Sequence, residues 1–395
     1  MEGPPLELVC SSVGSDDSGR GPPITINELV QLAHIGIPID QVTWSRVTMT
    51  SDKWIAVRHD SRSDFSAKRA VVTVLSPIEG TISYAGSTSA DSVLMNPVYP
   101  RIALKAGLRF EVFNLDTKEL VNKVKFHEPV IFWTWLTADV IAMVTDSAVY
   151  HWSINEREAA TTPEQIFVRH NRLAFTEIVG YKGDPSLRWL ALTGLTPEII
   201  FSTKPSTKRD ERISGVTQLY NRDEDITQCI TAHAVCFSTY HFPGNPYPST
   251  VMCVSSREAQ DHGKVHVIEL GPYKTGNFAP RNSYDHLHFL DDLERYDFPI
   301  SLQISVDYGL LFVVTKYGYL YMCDMETAMC LCCTRVAVDV IFAAALNTNS
   351  QGILAITRGG QVITVDLKKD GFISFLREQV KTAYRANRFE KVICP

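Results

Sequence analysis

The chain has 395 residues, 45% of them hydrophobic and 10% aromatic, so it is long enough to bury a large core. Its formal net charge of −6 argues against a nucleic-acid-binding protein, which would need a dominant basic face to neutralise phosphates. The sequence contains neither a long apolar run nor the basic and apolar start of a signal peptide. We therefore expect a cytoplasmic protein.

Residues 1–22 are rich in Gly, Ser and Pro and too polar to form a core, which predicts a flexible N-terminal tail. The alternation that begins at Ile24 then indicates a strand. In a closed ring of sheets, a strand from one terminus commonly completes the last sheet and removes both free edges. We expect the strand from Ile24 to Val30 to do so.

A repeated unit organises most of the chain: an apolar strand, a short polar turn, and a second strand that usually ends on Asp or Asn. The clearest copies begin at Ile102, Ile141, Leu310 and Ile353, and degenerate copies follow Trp54, Trp189 and Val251. Seven units spread over residues 23–370 leave about 49 residues for each, which fits the four-stranded blade of a propeller. We predict an all-β, seven-bladed β-propeller; the alternative is a β-sandwich with chance similarity among its hairpins.

The predicted blades follow one another in chain order. Blade 1 covers residues 42–83, blade 2 is the stretch around Ile102, blade 3 ends near Trp152, blade 4 covers 175–230, blade 5 covers 234–271, blade 6 covers 300–336, and blade 7 covers 340–368. Blade 4 carries a polar insertion, residues 203–212, that predicts an exposed loop. The segment between blades 5 and 6 is predicted to be irregular as far as Pro299.

From residue 371 the pattern changes to a helical period, in which Phe372, Leu376 and Val380 share one stripe with Ala383 and Tyr384. Residues 371–395 therefore predict the start of a helical linker. The apolar stripe needs a second surface, so we expect the helix to continue into a longer helical protein.

The cysteines favour free thiols. The sequence has nine cysteines, an odd number, and no Asn-x-Ser/Thr acceptor for N-glycosylation, which fits a reducing compartment. The group Cys330, Cys332 and Cys333 with Cys323 resembles a metal site in number. Adjacent residues of a strand face opposite ways, however, so residues 332 and 333 cannot easily reach one ion, and core thiols are favoured.

Common catalytic signatures are absent from the sequence. The sequence has no P-loop, no GxSxG, no HExxH and no dinucleotide fingerprint. The pairs His262/His266 and His286/His288 could be metal ligands on a helix and on a strand, but the first pair lies across a predicted turn and neither pair has an evident third ligand. We expect no metal, no cofactor and no enzyme activity, although carboxylates and arginines gathered at the mouth of a propeller channel would be the alternative.

Specific runs resemble the amino-terminal domain of the clathrin heavy chain. They include Ala90-Asp-Ser-Val-Leu-Met-Asn-Pro, Ile102-Ala-Leu-Lys-Ala-Gly, Phe132-Trp-Thr-Trp-Leu and Trp189-Leu-Ala-Leu-Thr-Gly, in unbroken order from about residue 24 to 370. The Gly-His and Trp-Asp marks of WD repeats are missing. The resemblance implies a seven-bladed propeller followed by a helical zigzag linker.

The resemblance also implies that grooves between blades capture short peptide motifs of endocytic adaptors, with alternate side chains of an extended peptide entering an apolar slot. In the family, the groove between blades 1 and 2 takes the clathrin-box peptide, Leu-apolar-x-apolar-acid. Its apolar floor maps to Ile102 and Phe113, and one lysine maps to Lys118. Arg109 and Glu111 stand where the family has threonine and glutamine.

In an alignment without gaps, two further positions of this groove differ from the family: Gly86 stands in place of an arginine, and Leu120 stands in place of a second lysine. The resemblance implies two more sites. A second pocket maps to Trp44, Glu177 and Val179. A groove between blades 4 and 5 maps to Trp189, Leu219, Ile226, Gln228 and Ile230, with Glu224 in place of a family arginine.

The expected function is therefore that of a clathrin-coat structural and adaptor-docking domain. The partners implied are adaptors with linear motifs, with membrane association only through those adaptors, at the cytoplasmic face of coated pits and vesicles. Clathrin light chain binding and trimerisation are implied only for regions outside this sequence. The alternative is a propeller scaffold that has lost clathrin-box recognition and serves as coat architecture or as a different docking hub.

Overall fold

Seven sheets, antiparallel except for one short parallel pair, account for nearly all of the regular structure of the described residues. The structure is a computed structural model, and it describes residues 10–11, 23–60, 70–154, 162–200, 210–258, 262–278, 282–289, 296–378, 386–387 and 390. In neighbouring sheets the first strands contact one another in succession, so they form the inner wall of a ring. The predicted seven-bladed β-propeller is confirmed.

Two strands precede the first complete blade, β1 (Cys10–Ser11) and β2 (Ile24–Gln31). Blade 1 consists of β3 (Val47–Thr48), β4 (Ile55–Asp60), β5 (Ala70–Leu75) and β6 (Ile82–Ser87). Blade 2 consists of β7 (Ser92–Met95), β8 (Arg101–Ala106), β9 (Arg109–Asn114) and β10 (Leu120–Lys125). Blade 3 consists of β11 (Phe132–Trp135), β12 (Val140–Val144), β13 (Ala148–Ser153) and β14 (Glu164–Val168).

The remaining blades follow the same order from the inner to the outer strand. Blade 4 consists of β15 (Glu177–Gly183), β16 (Trp189–Ile200), β17 (Asp210–Asn221) and β18 (Ile226–Thr231). Blade 5 consists of β19 (Ala234–Tyr240), β20 (Ser249–Arg257), β21 (His262–Leu270) and β22 (Asn282–His288). Blade 6 consists of β23 (Pro299–Ser305), β24 (Leu310–Thr315), β25 (Tyr319–Asp324) and β26 (Cys330–Arg335). Blade 7 takes β27 (Ile341–Leu346), β28 (Ile353–Thr357) and β29 (Gln361–Leu367).

The strand predicted at Ile24 closes the ring, because β2 pairs antiparallel with β29 as the outer strand of blade 7, with Ile24 opposite Leu367. Blade 7 then packs on blade 1 through one apolar cluster that contains Val30, Val57 and Ile356. Joining the two termini in one sheet removes the free edges that an open ring would expose. Strand β1 pairs parallel with β26, the outer strand of blade 6. The other residues of the predicted tail lie outside the described residues.

Local sequence explains the tight connections of blade 2. Gly107 has φ +57°, the left-handed conformation that glycine adopts without strain, and its N–H donates to the Asp91 carboxylate at 2.7 Å. The short hairpin from β8 to β9 follows from these two residues. In the next turn, the Asn114 side chain accepts bonds from the N–H groups of Asp116 and Thr117 at 2.9 and 3.2 Å.

A helix follows the last blade. Helix α1 spans Lys369–Glu378, and Phe372, Phe375 and Leu376 are buried against residues of blades 6 and 7, including Leu331 and Ile353. The apolar stripe therefore finds its second surface on the propeller itself. Val380, Ala383 and Tyr384 lie outside the described residues. Within the described part of the chain, no helix has the length and apolar content that crossing a membrane requires.

Two predicted loops are strands. The segment before Pro299 holds β22, the outer strand of blade 5, so the prediction that it is irregular was wrong there. In blade 4, β16 and β17 remain paired as far as Ile200 and Asp210, so the predicted insertion is extended strand at its C-terminal end. Residues 201–209 lie outside the described residues. The segment around His262 and His266 is also strand, β21, rather than a helix or a turn.

Candidate functional site

A cavity of about 240 Å³ lies between blades 1 and 2. Strands β5 and β6 form one wall, and β8 and β9 with the turn after β9 form the other. It is lined by Val72, Tyr84, Gly86, Ser87, Thr88, Ile102, Leu104, Phe113, Asn114, Leu115 and Lys118. Three residues predicted for this groove, Ile102, Phe113 and Lys118, are therefore brought together around one space.

The floor of this cavity is apolar. Ile102 and Phe113 stand directly opposite each other in β8 and β9, and both belong to the cluster that joins blade 1 to blade 2. Ile102 is buried, whereas Phe113 is only partly buried, and both line the cavity. Lys118 is exposed in the turn that follows, with φ +60°. An apolar slot with an ammonium group beside it can accept apolar side chains and a neighbouring carboxylate.

Arg109 and Glu111 lie on the same face of β9 as Phe113 but do not line the cavity. Their cross-strand neighbours are lysines: Lys125 is opposite Arg109, and Lys123 is opposite Glu111. Strand β10 has a register irregularity between Leu120 and Asn122, which brings Lys123 and Lys125 to the face that carries Phe113. An alignment without gaps does not place them there. The alternation of lysine and valine after that point was the available signal.

Gly86 stands beside a tyrosine that occupies the space of a longer side chain. Tyr84 and Gly86 share one face of β6, and a Cβ at position 86 would overlap the Tyr84 hydroxyl. Where the family resemblance implies an arginine, this chain therefore presents a phenol group. The hydroxyl can donate a hydrogen bond but adds no charge.

The three residues of the predicted second pocket lie near the starts of inner strands. Trp44 is 46% exposed and precedes β3 in blade 1. Glu177 is exposed and opens β15 in blade 4, and Val179 is half-buried at a register irregularity of the same strand. Inner strands run in one direction around a propeller, so the topology places these residues at the same mouth of the channel.

The groove predicted between blades 4 and 5 is closed along its inner part. Leu219 is only 2% exposed and packs with Ala191, Val235 and Met252. The indole N–H of Trp189 donates to the carbonyl of Gly271 at 3.0 Å, which ties blade 4 to the end of blade 5. Leu219 is thus part of an interface between blades and is not available as a groove wall.

The outer part of the same groove is open. Strand β18 presents Ile226, Gln228 and Ile230 on the face that carries Trp189 and Leu219, and Ile226 is 56% exposed. Glu224 is exposed in the turn before β18. A second cavity, of about 730 Å³, opens at the end of these blades, beside Arg188, Asp223 and Lys274. Arg188 and Asp223 form an ion pair at 2.5 Å across part of its rim.

Two buried imidazoles stabilise the neighbouring interfaces. The Nε2 of His233 lies 2.9 Å from the Ile213 carbonyl, and its Nδ1 accepts from the Arg257 N–H at 3.2 Å. Burial lowers the pKa of His233 to about 4, with Arg212 and Arg257 acting in the same direction. Burial likewise lowers the pKa of His151 to about 4, and its Nε2 lies 2.9 Å from the Tyr181 hydroxyl.

The cysteines behave as core thiols. Cys332 packs in the cluster shared with blade 7, and Cys333 packs in the cluster shared with blade 5, as opposite faces of one strand require. Among the residues that the structure describes, no group of three His, Cys, Asp or Glu side chains could hold a metal ion.

The sequence is similar to the amino-terminal portion of several known proteins. It is 34% identical over 354 residues to the clathrin heavy chain of Drosophila melanogaster, covering 90% of this chain and 20% of that protein. It is 35% identical over 383 residues to clathrin heavy chain 1 of Oryza sativa subsp. japonica, covering 92% and 21%. It is 32% identical over 354 residues to the clathrin heavy chain of Dictyostelium discoideum, covering 90% and 20%.

The chain thus spans about a fifth of the length of these relatives. No protein-family model matches the sequence. Among solved structures, a chain of the "Crystal Structure of Mitotic Checkpoint Complex" is similar with a TM-score of 0.53 at 12% identity, covering 91% of this chain and 99% of that one. At this identity the likeness shows the propeller fold alone.

Proposed function

The chain belongs to the clathrin heavy chain family, and from that premise we propose that it docks short linear peptides of adaptor proteins in the groove between blades 1 and 2. The observation that carries the proposal is the cavity of about 240 Å³ lined by Ile102, Phe113 and Lys118. The peptide would be extended, with apolar side chains in the slot and an acidic residue near Lys118.

The proposed setting is a clathrin-type coat. The chain would serve as coat architecture at the cytoplasmic face of coated pits, reach the membrane through adaptors, and have no enzyme activity. Light chain binding and trimerisation would depend on regions outside this sequence. The second candidate is coat architecture without clathrin-box recognition. The Tyr84 hydroxyl beside Gly86 favours this candidate, because it stands where the resemblance implies an arginine that would attract the acidic end of the peptide.

The affinity for one motif should be weak. A peptide that orders four or five residues in a shallow slot gains limited apolar burial against its conformational entropy, so its dissociation constant should be roughly 10 to 500 μM. Stable recruitment would come from many motifs meeting many propellers.

Calorimetric titration with the capped peptide Leu-Leu-Asn-Leu-Asp tests the proposal. Phe113→Ala should weaken binding by about tenfold or more, because it removes a ring that an apolar side chain would cover. Val168→Ala is the matched control: it also removes an exposed apolar group, but from blade 3, and should change the affinity less than twofold. Binding that Phe113→Ala leaves unchanged would contradict the proposal, and no binding by any form would favour the second candidate.

A further inference from the structure

Two cysteines face each other across neighbouring strands of blade 5. Cys236 lies in the inner strand β19 and Cys253 lies in the next strand β20, and the antiparallel register places them directly opposite each other. Residues paired in this way have Cα atoms about 4.5 to 5.5 Å apart, which is within the range of about 4.4 to 6.8 Å that a disulfide spans. The backbone of blade 5 therefore already holds the two residues at the separation that a disulfide requires.

A second cross-strand pair of cysteines, in blade 6, is less regular. Cys323 in β25 is matched with Cys330 in β26, but a register irregularity falls between Met322 and Cys323. The Cys330 thiol donates to the carbonyl of Cys332 at 3.6 Å. The pair in blade 5 is thus the one whose strand register is unbroken.

The two thiols of blade 5 meet in an apolar environment. Both belong to the cluster that joins blade 5 to Leu302 and Val313 of blade 6. Cys253 has no exposed surface, and its Sγ lies 3.9 Å from the Sδ of Met325. Burial raises the pKa of the Cys253 thiol well above its ordinary value, and hydrogen bonding to Cys236 acts in the same direction. Cys253 is therefore a protonated thiol beside Cys236.

Cys236 is the member of the pair that an oxidant can reach first. It is 8% exposed and lies in an inner strand, at the wall of the channel, whereas Cys253 is 0% exposed. Lys182 is on the adjacent inner strand β15. Burial within the channel lowers the pKa of the Lys182 ammonium group, and the charge of Cys236 acts in the opposite direction. A neighbouring ammonium group attracts a thiolate, which is the form of cysteine that attacks oxidants.

This arrangement supports the oxidation of a dithiol by a peroxide. The Cys236 thiolate attacks one oxygen of hydrogen peroxide and the O–O bond breaks, which gives a sulfenic acid and a hydroxide that takes up a proton to become water. The Cys253 sulfur then attacks the Cys236 sulfur and the S–O bond breaks. The proton of the Cys253 thiol leaves with the hydroxyl group as a second water. In total, two thiols lose two electrons and two protons, and one peroxide becomes two waters.

We propose that Cys236 and Cys253 form a redox-active dithiol that hydrogen peroxide converts into a reversible disulfide, with Cys236 as the attacking cysteine and Cys253 as the resolving cysteine. The disulfide joins the inner strand of blade 5 to the next strand. In a reducing compartment such bonds are usually transient and redox-sensing, and a dithiol reductant restores both thiols by thiol–disulfide exchange. The inference does not depend on peptide docking.

The test treats the reduced protein with hydrogen peroxide, blocks the remaining thiols with iodoacetamide and maps the cysteines by mass spectrometry. Trypsin alone leaves Cys229, Cys236 and Cys253 in one peptide, residues 223–257, so chymotrypsin is added to cut after Phe237. We expect a linkage between Cys236 and Cys253 with the loss of two hydrogen atoms, and its reversal by dithiothreitol. A linkage through Cys229 instead, or no linkage, overturns the inference.

Cys330→Ser is the matched control, because it removes a more exposed cysteine from the cross-strand pair of blade 6 and should leave the linkage in blade 5 unchanged. Loss of the linkage in Cys330→Ser would contradict the assignment. The unsubstituted protein is mapped in the same experiment, so the result does not depend on how well any variant folds.

Two single substitutions test the order of the steps. In Cys253→Ser the sulfenic acid at Cys236 has no resolving thiol, so it should persist and be labelled by dimedone. In Cys236→Ser the fully buried Cys253 should remain a thiol and take up no dimedone. Labelling of Cys253 in Cys236→Ser, without labelling of Cys236 in Cys253→Ser, would overturn the assigned roles.

Discussion

The seam between blades 1 and 2 and the seam between blades 4 and 5 join the same kind of four-stranded sheet, yet the inner part of the first is open and the inner part of the second is filled. At the first seam, Gly86 and the partly buried Phe113 leave a cavity of about 240 Å³. At the second, Trp189 crosses to the Gly271 carbonyl, and Leu219 and Met252 are buried. The side chains of the inner row thus leave space at the first seam and fill it at the second.

The largest effect that tests this comparison is on stability. Trp189→Ala should lower the free energy of unfolding by about 2 to 4 kcal/mol, because it removes a ring packed between two blades and a hydrogen bond. Phe113→Ala should cost about 1 to 2 kcal/mol, since its side chain is only partly buried in the folded protein. Urea unfolding measures both.

Trp189→Phe separates the two contributions of the tryptophan, because it keeps an aromatic ring and loses the N–H donor. We expect it to cost about 1 kcal/mol. Equal losses for Trp189→Ala and Phe113→Ala would show that the two seams do not differ in the way proposed.

The second effect depends on pH. His233 bridges blades 4 and 5 as a neutral ring, with its pKa lowered to about 4 from the ordinary 6.5. Unfolded chains take up the proton first as the pH falls, so the stability that depends on the neutral ring is complete above pH 6.5 and is lost between pH 6.5 and 4. One such imidazole should cost about 2 kcal/mol between pH 7 and pH 5.

The His233→Gln variant should therefore be less stable than the unsubstituted protein at pH 7. Its free energy of unfolding should fall less between pH 7 and pH 5 than that of the unsubstituted protein. His127→Gln, at an exposed position on blade 2, should keep the slope of the unsubstituted protein. His151 titrates in the same range for the same reason and remains in both proteins, as does His59, whose pKa burial also lowers. Parallel pH slopes for the unsubstituted protein and His233→Gln would contradict the role given to His233.

The architecture was predictable from sequence because each blade repeats the same apolar hairpin, and because the strand at Ile24 had the pattern needed to complete a sheet. Strand β22 was missed, since His286 and His288 occupy the alternate positions and dilute its apolar signal. Ile102 and Phe113, predicted as the floor of the first groove, line one cavity. The closure of the second was not foreseeable, because the bond from Trp189 to Gly271 joins residues of different blades.

The charge on the face of β9 and β10 beside the first groove also could not be predicted from the sequence alone. Substitutions on this face should have the smallest of the predicted effects. Among the residues mapped to this groove from sequence, Arg109 and Lys118 against Glu111 leave one net positive charge. The observed register adds Lys123 opposite Glu111 and Lys125 opposite Arg109, so the face is more basic than the comparison without gaps implied. The register irregularity after Leu120 turns these lysines toward that face.

Glu111→Gln should therefore strengthen the preference for a peptide ending in Asp over one ending in Asn only slightly, by at most about threefold at low salt, because exposed charge pairs contribute about 0 to 1 kcal/mol and Lys123 already opposes Glu111. Lys123→Gln should reduce the same preference by a similar factor. Calorimetry with Leu-Leu-Asn-Leu-Asp and Leu-Leu-Asn-Leu-Asn at low and high salt measures both changes. Leu120→Lys, which adds a charge directly opposite Phe113, serves as a positive control and should raise the preference for Asp. If Leu120→Lys raises the preference but Lys123→Gln leaves it unchanged, the acidic end lies near Lys118 and the turn, and the basic face of β10 takes no part in reading the peptide.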